Sequence, residues 1–511
     1  MGFMTQLNKE INNVKQTTEN GAVGYKTTGK KLLDLNFSVA SLRGASDDQI
    51  ISKFMDAYWE NPVFAMKWLF YARDAREGLG ERRLFRTVIK HLAEQKSEVV
   101  CSVLTLTAEY GRWDDLWCLL ETDLVDAVVG VVQTQLAKDF KNMVDGKPVS
   151  LLAKWMPSAN ASSATTKKYA SILCKKMGDT PRGYRKVLSR MRQYIDIVER
   201  KMSSKEWGAI NYEAVPSRAN LIYNNAFLRN DEYRRRAYLA ALERGDAKIN
   251  ASTLYPHDIV HKHGRSYMAD TALEGLWKSL PDTVNGCGNT IVVADGSGSM
   301  RCLVGGNTGV TALEVANALA IYFAERSSGE FKDKYITFSE NPQLVDFSNA
   351  KTLRDKLNIA SRYCEVANTN IEAVFELILS TAVKNNMAQA DIPANILIIS
   401  DMEFDSCAVD NSSSRGSWGR RTLSNTLFDK IAQKYYSYGY KLPRLVFWNV
   451  NSRTGTIPVK QNDLGVALVS GFSVNIVKMV MSNKLDPYEC LLDAINVERY
   501  QPVEDAVRGV C

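Results

Sequence analysis

"IVVADGSGSM", residues 291–300, is where an otherwise helical sequence changes character. Four apolar residues run into Asp295, and glycine and serine then alternate. An apolar run bounded by small polar residues predicts a buried strand ending in a tight loop. The run is "TIVVAD" (290–295), and the pattern recurs downstream in "KYITFS" (334–339), "ANILIISD" (394–401), "PRLVFWNV" (443–450) and "GVALVSG" (465–471). Helical stretches near 309–327, 370–386, 420–438 and 473–482 separate most of these runs. Continuous apolar strands alternating with helices predict a doubly wound, Rossmann-like parallel sheet covered on both faces.

Upstream, from about 46 to 280, amphipathic helices follow one another almost without interruption. "DDQIISKFMDAYWENP" places Ile50, Ile51, Phe54, Met55 and Tyr58 on one stripe, starts acidic and stops at Pro62. Short helices joined by tight turns predict an all-α, HEAT-like solenoid, although no internal sequence repeat accompanies them. The expected organisation is a flexible arm over 1–30, an α-helical domain over 31–284 and an α/β domain over 285–511.

A chain of 511 residues exceeds one hydrophobic core. Its 45% hydrophobic and 24% charged residues are those of a folded protein. No apolar run approaches the ~18 residues that span a bilayer, and the first residues lack the apolar core of a signal peptide. The nine cysteines are scattered and never spaced C-x-x-C. Reduced thiols and a cytoplasmic location are therefore expected, without a zinc module.

In a doubly wound sheet, ligands bind outside the carboxyl ends of the strands. Asp295 and Asp401 end two of the predicted strands, and Thr369 precedes a predicted helix in "ANTNIEA". Alternation at 295, 297 and 299 can turn three side chains toward one point, with Gly296 and Gly298 permitting the tight loop. Asp295, Ser297, Ser299, Thr369 and Asp401 are all hard oxygen donors. Two carboxylates completed by hydroxyls and water suit Mg²⁺, with Mn²⁺ or Ca²⁺ as alternatives. A phosphate loop would need G-K-[ST], where Met300 and Arg301 stand. A serine nucleophile would need a base, and the last histidine is His263. Glu403 and Asp405 in "DMEFD" are read as solvated loop residues.

The combination "DGSGSM", "NTNIEA" and "IISDMEFD" resembles the metal-ion-dependent adhesion site of von Willebrand factor A domains. That resemblance implies a cation on the five residues and an open coordination position for a partner's carboxylate. "FYARDAREGLGERRLFR" (70–86), "YGRWDDLW" (110–117), "LLAKWMPS" (151–158) and "YPHDIV" (255–260), in that order before the sheet, resemble the TROVE family of the Ro autoantigen. This second resemblance implies a monomeric helical ring closed by the von Willebrand-type domain. It also implies binding of structured small non-coding RNA and of single-stranded RNA 3′ ends. The helical motifs themselves read as packing: "RDAREGLGERR" as a charge-paired helical corner, Trp113 and Trp117 as core. His257, His261 and His263 lack a nearby cysteine and read as structural.

The formal net charge is +7, yet residues 167–205 carry twelve Lys or Arg against three Asp or Glu. In "PRGYRKVLSRMRQYIDIVERKM" (181–202), Tyr184, Val187, Leu188, Met191 and Ile195 form an apolar stripe. Arg182, Arg185, Lys186, Arg190 and Arg192 cover much of the rest, and Lys167, Lys168, Lys175 and Lys176 extend the charge. Such a helix docks by its stripe and offers cations to phosphates. The expected function is that of a non-catalytic, Ro-like ribonucleoprotein scaffold without a membrane partner. The alternative is a protein-interaction module that captures an acidic group through the cation. A metal-dependent hydrolase is the weakest reading, because no general base stands out.

Overall fold

A computed structural model describes residues 15–18, 23–264, 270–284, 289–305, 308–338, 341–363, 371–404, 425–458, 465–480, 484 and 486–511. Two compact units divide it. One gathers the described residues of 1–49, 55–60 and 254–494, and the other those of 50–54, 61–253 and 495–511.

The first unit is built on a sheet whose strands follow the apolar runs closely. These strands are β3 (Thr290–Asp295), β4 (Lys334–Phe338), β5 (Leu344–Asp346), β6 (Asn395–Ser400), β7 (Arg444–Asn449) and β8 (Val466–Ser470). The short hairpin β1 (Lys15–Thr17) and β2 (Val23–Tyr25) precedes them. The order across the large sheet is β5-β4-β3-β6-β7-β8, with all neighbours parallel except β4 and β5. All six residues of β3 and all five of β8 are buried, as strands covered on both faces must be. Helix Ala312–Arg326 packs on β3 and β4, and starts on a capping box between Thr311 and Glu314. The chain leaves β3 toward β4 on one side and begins again at β6 on the other. The β3/β6 junction is therefore the switch point of the sheet, where a crevice opens at the carboxyl ends.

The described part of 1–30 is not a free arm. Tyr25 pairs in both directions with the backbone of Ile457, and buried Asp34 accepts from Thr28 N and Thr28 Oγ1 at 2.7 Å each. Residues 31–42 also belong to this unit, with Phe37 O accepting from Asn449 Nδ2 at 2.8 Å and Ser470 Oγ from Ala40 N at 3.1 Å. Polar composition around 26–30 concealed this anchoring, which depends on nearby Asp34 and on Ile457, more than 400 residues away.

The second unit is helical. The end of the chain joins it: Tyr500, Val503 and Val507 are buried, and helix Gln501–Val507 packs on helices Pro62–Arg73 and Ser97–Val103. The glycine corner after Arg73 is one of its fixed points. Leu79 N donates to Tyr71 O at 3.1 Å and Glu81 N to Ala72 O at 2.7 Å, which brings the chain back across the helix end. A Cβ on Gly78 would stand 1.9 Å from the backbone oxygen of Tyr71. Gly78→Ala is therefore expected to cost about 1–3 kcal/mol, read as a lower urea midpoint of the helical unit. Among the described residues no helix is long and apolar enough to cross a membrane.

Candidate functional site

Asp295 and Asp401 meet at the switch point. Asp295 is the last residue of β3, and Ala294 pairs with Ile399 across the junction. Ser400, one step on, donates through Oγ to Asp295 Oδ2 at 2.6 Å, and Ser297 N donates to Oδ1 at 2.9 Å. Ser297 Oγ and Ser299 Oγ lie 2.9 Å apart, and the Ser299 side chain favours the charged form of Asp401. Asp295 and Asp401 are 1% and 2% exposed. Burial, with the charge of Asp295 next in weight, pushes the Asp401 carboxyl up to about 7. Four of the five residues singled out for a cation are thus brought to one sheet edge. Thr369 lies outside the described residues, as does Asp405.

The donor set fits a small divalent cation. It consists of two carboxylates and two hydroxyls, all hard oxygens, and the carboxylates repel each other in a buried place. Among the described residues no three His, Cys, Asp or Glu side chains form a metal cluster.

Glu403 departs from its reading as a solvated loop residue. It is 1% exposed, and its Oε1 accepts from Arg453 N at 2.8 Å, Thr454 N at 2.9 Å and Thr454 Oγ1 at 3.1 Å. Its carboxylate pins the loop after β7 against the loop after β6. Met402 between the two carboxylates has φ 62°, the left-handed conformation that branched or bulky residues seldom adopt. That turn lets Asp401 and Glu403, on either side of Met402, both be buried, while Met402 N is held by Ser400 Oγ at 3.0 Å. The sequence showed the acidic pair but not the loop that one of them holds.

The basic segment forms helices Ala164–Lys176 and Pro181–Ile195. Tyr184, Leu188 and Met191 are buried along the predicted stripe. Lys167, Lys175, Arg182, Arg185, Lys186 and Arg190 are exposed and have no ion-pair partner among the described residues. Lys168 and Lys176 are exposed too, but pair with Glu121 and Asp126. Arg192 is turned inward: its guanidinium donates to Ala153 O at 2.8 Å, Met156 O at 2.7 Å and Ser158 Oγ at 2.8 Å. It stitches the helix to the "AKWMPS" turn and is not presented to solvent as the charge pattern suggested.

The other motifs are packing devices. Arg73, Arg86 and the Arg112 backbone converge on buried Asp115, and Arg112 lies over the Trp155 ring at 3.8 Å. Trp117 is buried and donates to Trp155 O at 3.0 Å, whereas Trp113 is half-buried. His257 stacks on Tyr255, His261 contacts Glu314 at 2.9 Å and His263 approaches Glu274 at 3.6 Å, so the three rings have separate partners.

Known proteins resemble the chain in three ways. A domain of unknown function, DUF7788, matches residues 289–503, and another, DUF2828, matches residues 180–290. An uncharacterized protein of Acanthamoeba polyphaga mimivirus is 28% identical over 526 residues, covering 95% of this chain and 88% of that protein. The crystal structure of the Deinococcus radiodurans RO (RSR) protein aligns with 87% of this chain and 92% of its own, at 15% identity and a TM-score of 0.33.

Proposed function

We propose that this protein is a non-catalytic RNA-binding scaffold that takes structured small RNA on the face of helices Ala164–Lys176 and Pro181–Ile195. The observation that carries the reading is the set of six exposed cations, Lys167, Lys175, Arg182, Arg185, Lys186 and Arg190, unpaired among the described residues. Lys168 and Lys176 differ from these six, since Glu121 and Asp126 pair with them. Phosphates attract unpaired cations and release their own counterions. In this reading Asp295, Ser297, Ser299, Thr369 and Asp401 hold Mg²⁺, which draws the loops after β3 and β6 together and supplies a Lewis-acidic position to a carboxylate.

The test is binding of a structured small RNA across a salt series. Wild-type affinity is expected to fall steeply with salt. The variant Arg185→Glu/Lys186→Glu/Arg190→Glu is expected to lose roughly a hundredfold and to flatten the slope by about 3. Binding that is indifferent to salt, or that survives the three reversals, rejects this face.

A second reading rests on the switch-point geometry: the buried carboxylate pair favours a module that captures an acidic protein group through a cation. It predicts a partner lost on Asp295→Ala or on chelation while RNA binding persists.

A further inference from the structure

One charged side chain reaches the rim of the switch-point crevice from a loop that the five donor positions do not include. Arg453 stands after β7, with its side chain 35% exposed. Its Nη2 lies 3.9 Å from Asp401 Oδ2, and its Nη1 lies 3.8 Å from Cys302 Sγ, just beyond the serine loop. The backbone of this residue does not wander: Glu403 Oε1 holds Arg453 N at 2.8 Å and Thr454 N at 2.9 Å. The guanidinium is therefore hung from a fixed point, beside the carboxylate that a cation would need.

We infer that Arg453 is an internal competitor for the cation: its guanidinium stands in the approach to Asp401 and must swing outward when a cation binds. The inference rests on the cation reading of Asp295 and Asp401. A guanidinium and a divalent ion near one buried carboxylate repel each other strongly, because little water lies between them. The exposed side of Arg453 gives it somewhere to go, and the Glu403 anchor keeps the loop in place as it moves. Arg453 thus sets how much cation the site requires, and belongs to its specificity without being a ligand.

The test is Mn²⁺ binding to the full chain by calorimetry and electron paramagnetic resonance, with Mg²⁺ as competitor. Wild type, Arg453→Ala, Arg453→Gln, Arg453→Lys and Asp401→Asn are compared. Removing the positive charge is expected to tighten Mn²⁺ binding roughly tenfold in both the Ala and the Gln variants, while Lys stays near wild type. Two neutral variants guard against one that folds badly, and a melting curve in chelator reports folding. Binding that is unchanged or weaker in both neutral variants, with Asp401→Asn still abolishing it, overturns the role of Arg453 and leaves the cation reading standing. Asp401→Asn binding as well as wild type overturns the cation reading and this inference with it. Binding seen only after Arg453 is neutralised supports the inference, and no binding by any variant overturns both.

Discussion

Asp115→Ala is expected to destabilise the helical unit by about 3–5 kcal/mol, because it strands buried guanidinium charge. Asp115 is fully buried. Its Oδ2 accepts from Arg73 Nε at 2.7 Å and from Arg112 N at 2.9 Å, and its Oδ1 from Arg86 Nε at 2.7 Å. The Arg73 side chain is only 4% exposed, so no water replaces the lost carboxylate. Gly111 makes this approach feasible, since a Cβ there would stand 2.4 Å from Asp115 Oδ2 and 2.9 Å from Arg73 Nε. Replacing both members, as Arg73→Met with Asp115→Ala, is expected to cost less than the single change, since the most deeply buried guanidinium leaves with its carboxylate and Arg86 keeps Asp114 at 2.8 Å. Native-state hydrogen exchange over helices Pro62–Arg73 and Arg82–Gln95 is the suitable measurement, because a chain of two units need not unfold in one step. A loss under about 1 kcal/mol would show that the network contributes little beyond its packing.

That network explains why the helical motifs were legible as motifs and silent about function. "FYARDAREGLGERRLFR" supplies Arg73, Gly78 and Arg86; "YGRWDDLW" supplies Gly111, Arg112 and Asp115; "LLAKWMPS" supplies Trp155. They are distant in sequence and meet in space. The five long strands were equally legible, since burial on both faces demands an unbroken apolar run. Strand β5 was not: its three residues alternate exposed, buried and exposed, too briefly to show a period. Asp295 and Asp401 could be placed because strand ends define the crevice. Arg453 and the buried role of Glu403 could not, because both depend on how the loop after β7 folds back. Arg192 was misread for a related reason. Charge on a helix says that a cation is present, while the carbonyls that claim it belong to residues 153–158.

In chelator at about pH 8, Asp401→Asn is expected to stabilise the sheet unit by about 2–4 kcal/mol relative to wild type. The sign follows from the raised carboxyl. In the folded, cation-free unit Asp401 keeps its proton up to about 7, whereas the unfolded chain releases it near 3.8. Between those values the folded state binds more protons, so wild-type stability falls as pH rises through this window and levels off above it. Asparagine has no proton to lose. The difference between the two proteins should therefore be absent at the acid end of the window and complete above about 7. Denaturant titrations at several pH values, with and without Mg²⁺, provide the measurement. Under the proposed cation reading, Mg²⁺ is expected to reverse the order, because an ion on the native carboxylate pair would stabilise wild type by mass action while the variant gains little. An Asn variant less stable than wild type in chelator at high pH would mean that the Asp401 charge is already compensated within the chain. An Arg453→Gln/Asp401→Asn double variant identifies the source: if the guanidinium provides that compensation, the double variant recovers the stability that the single one lost.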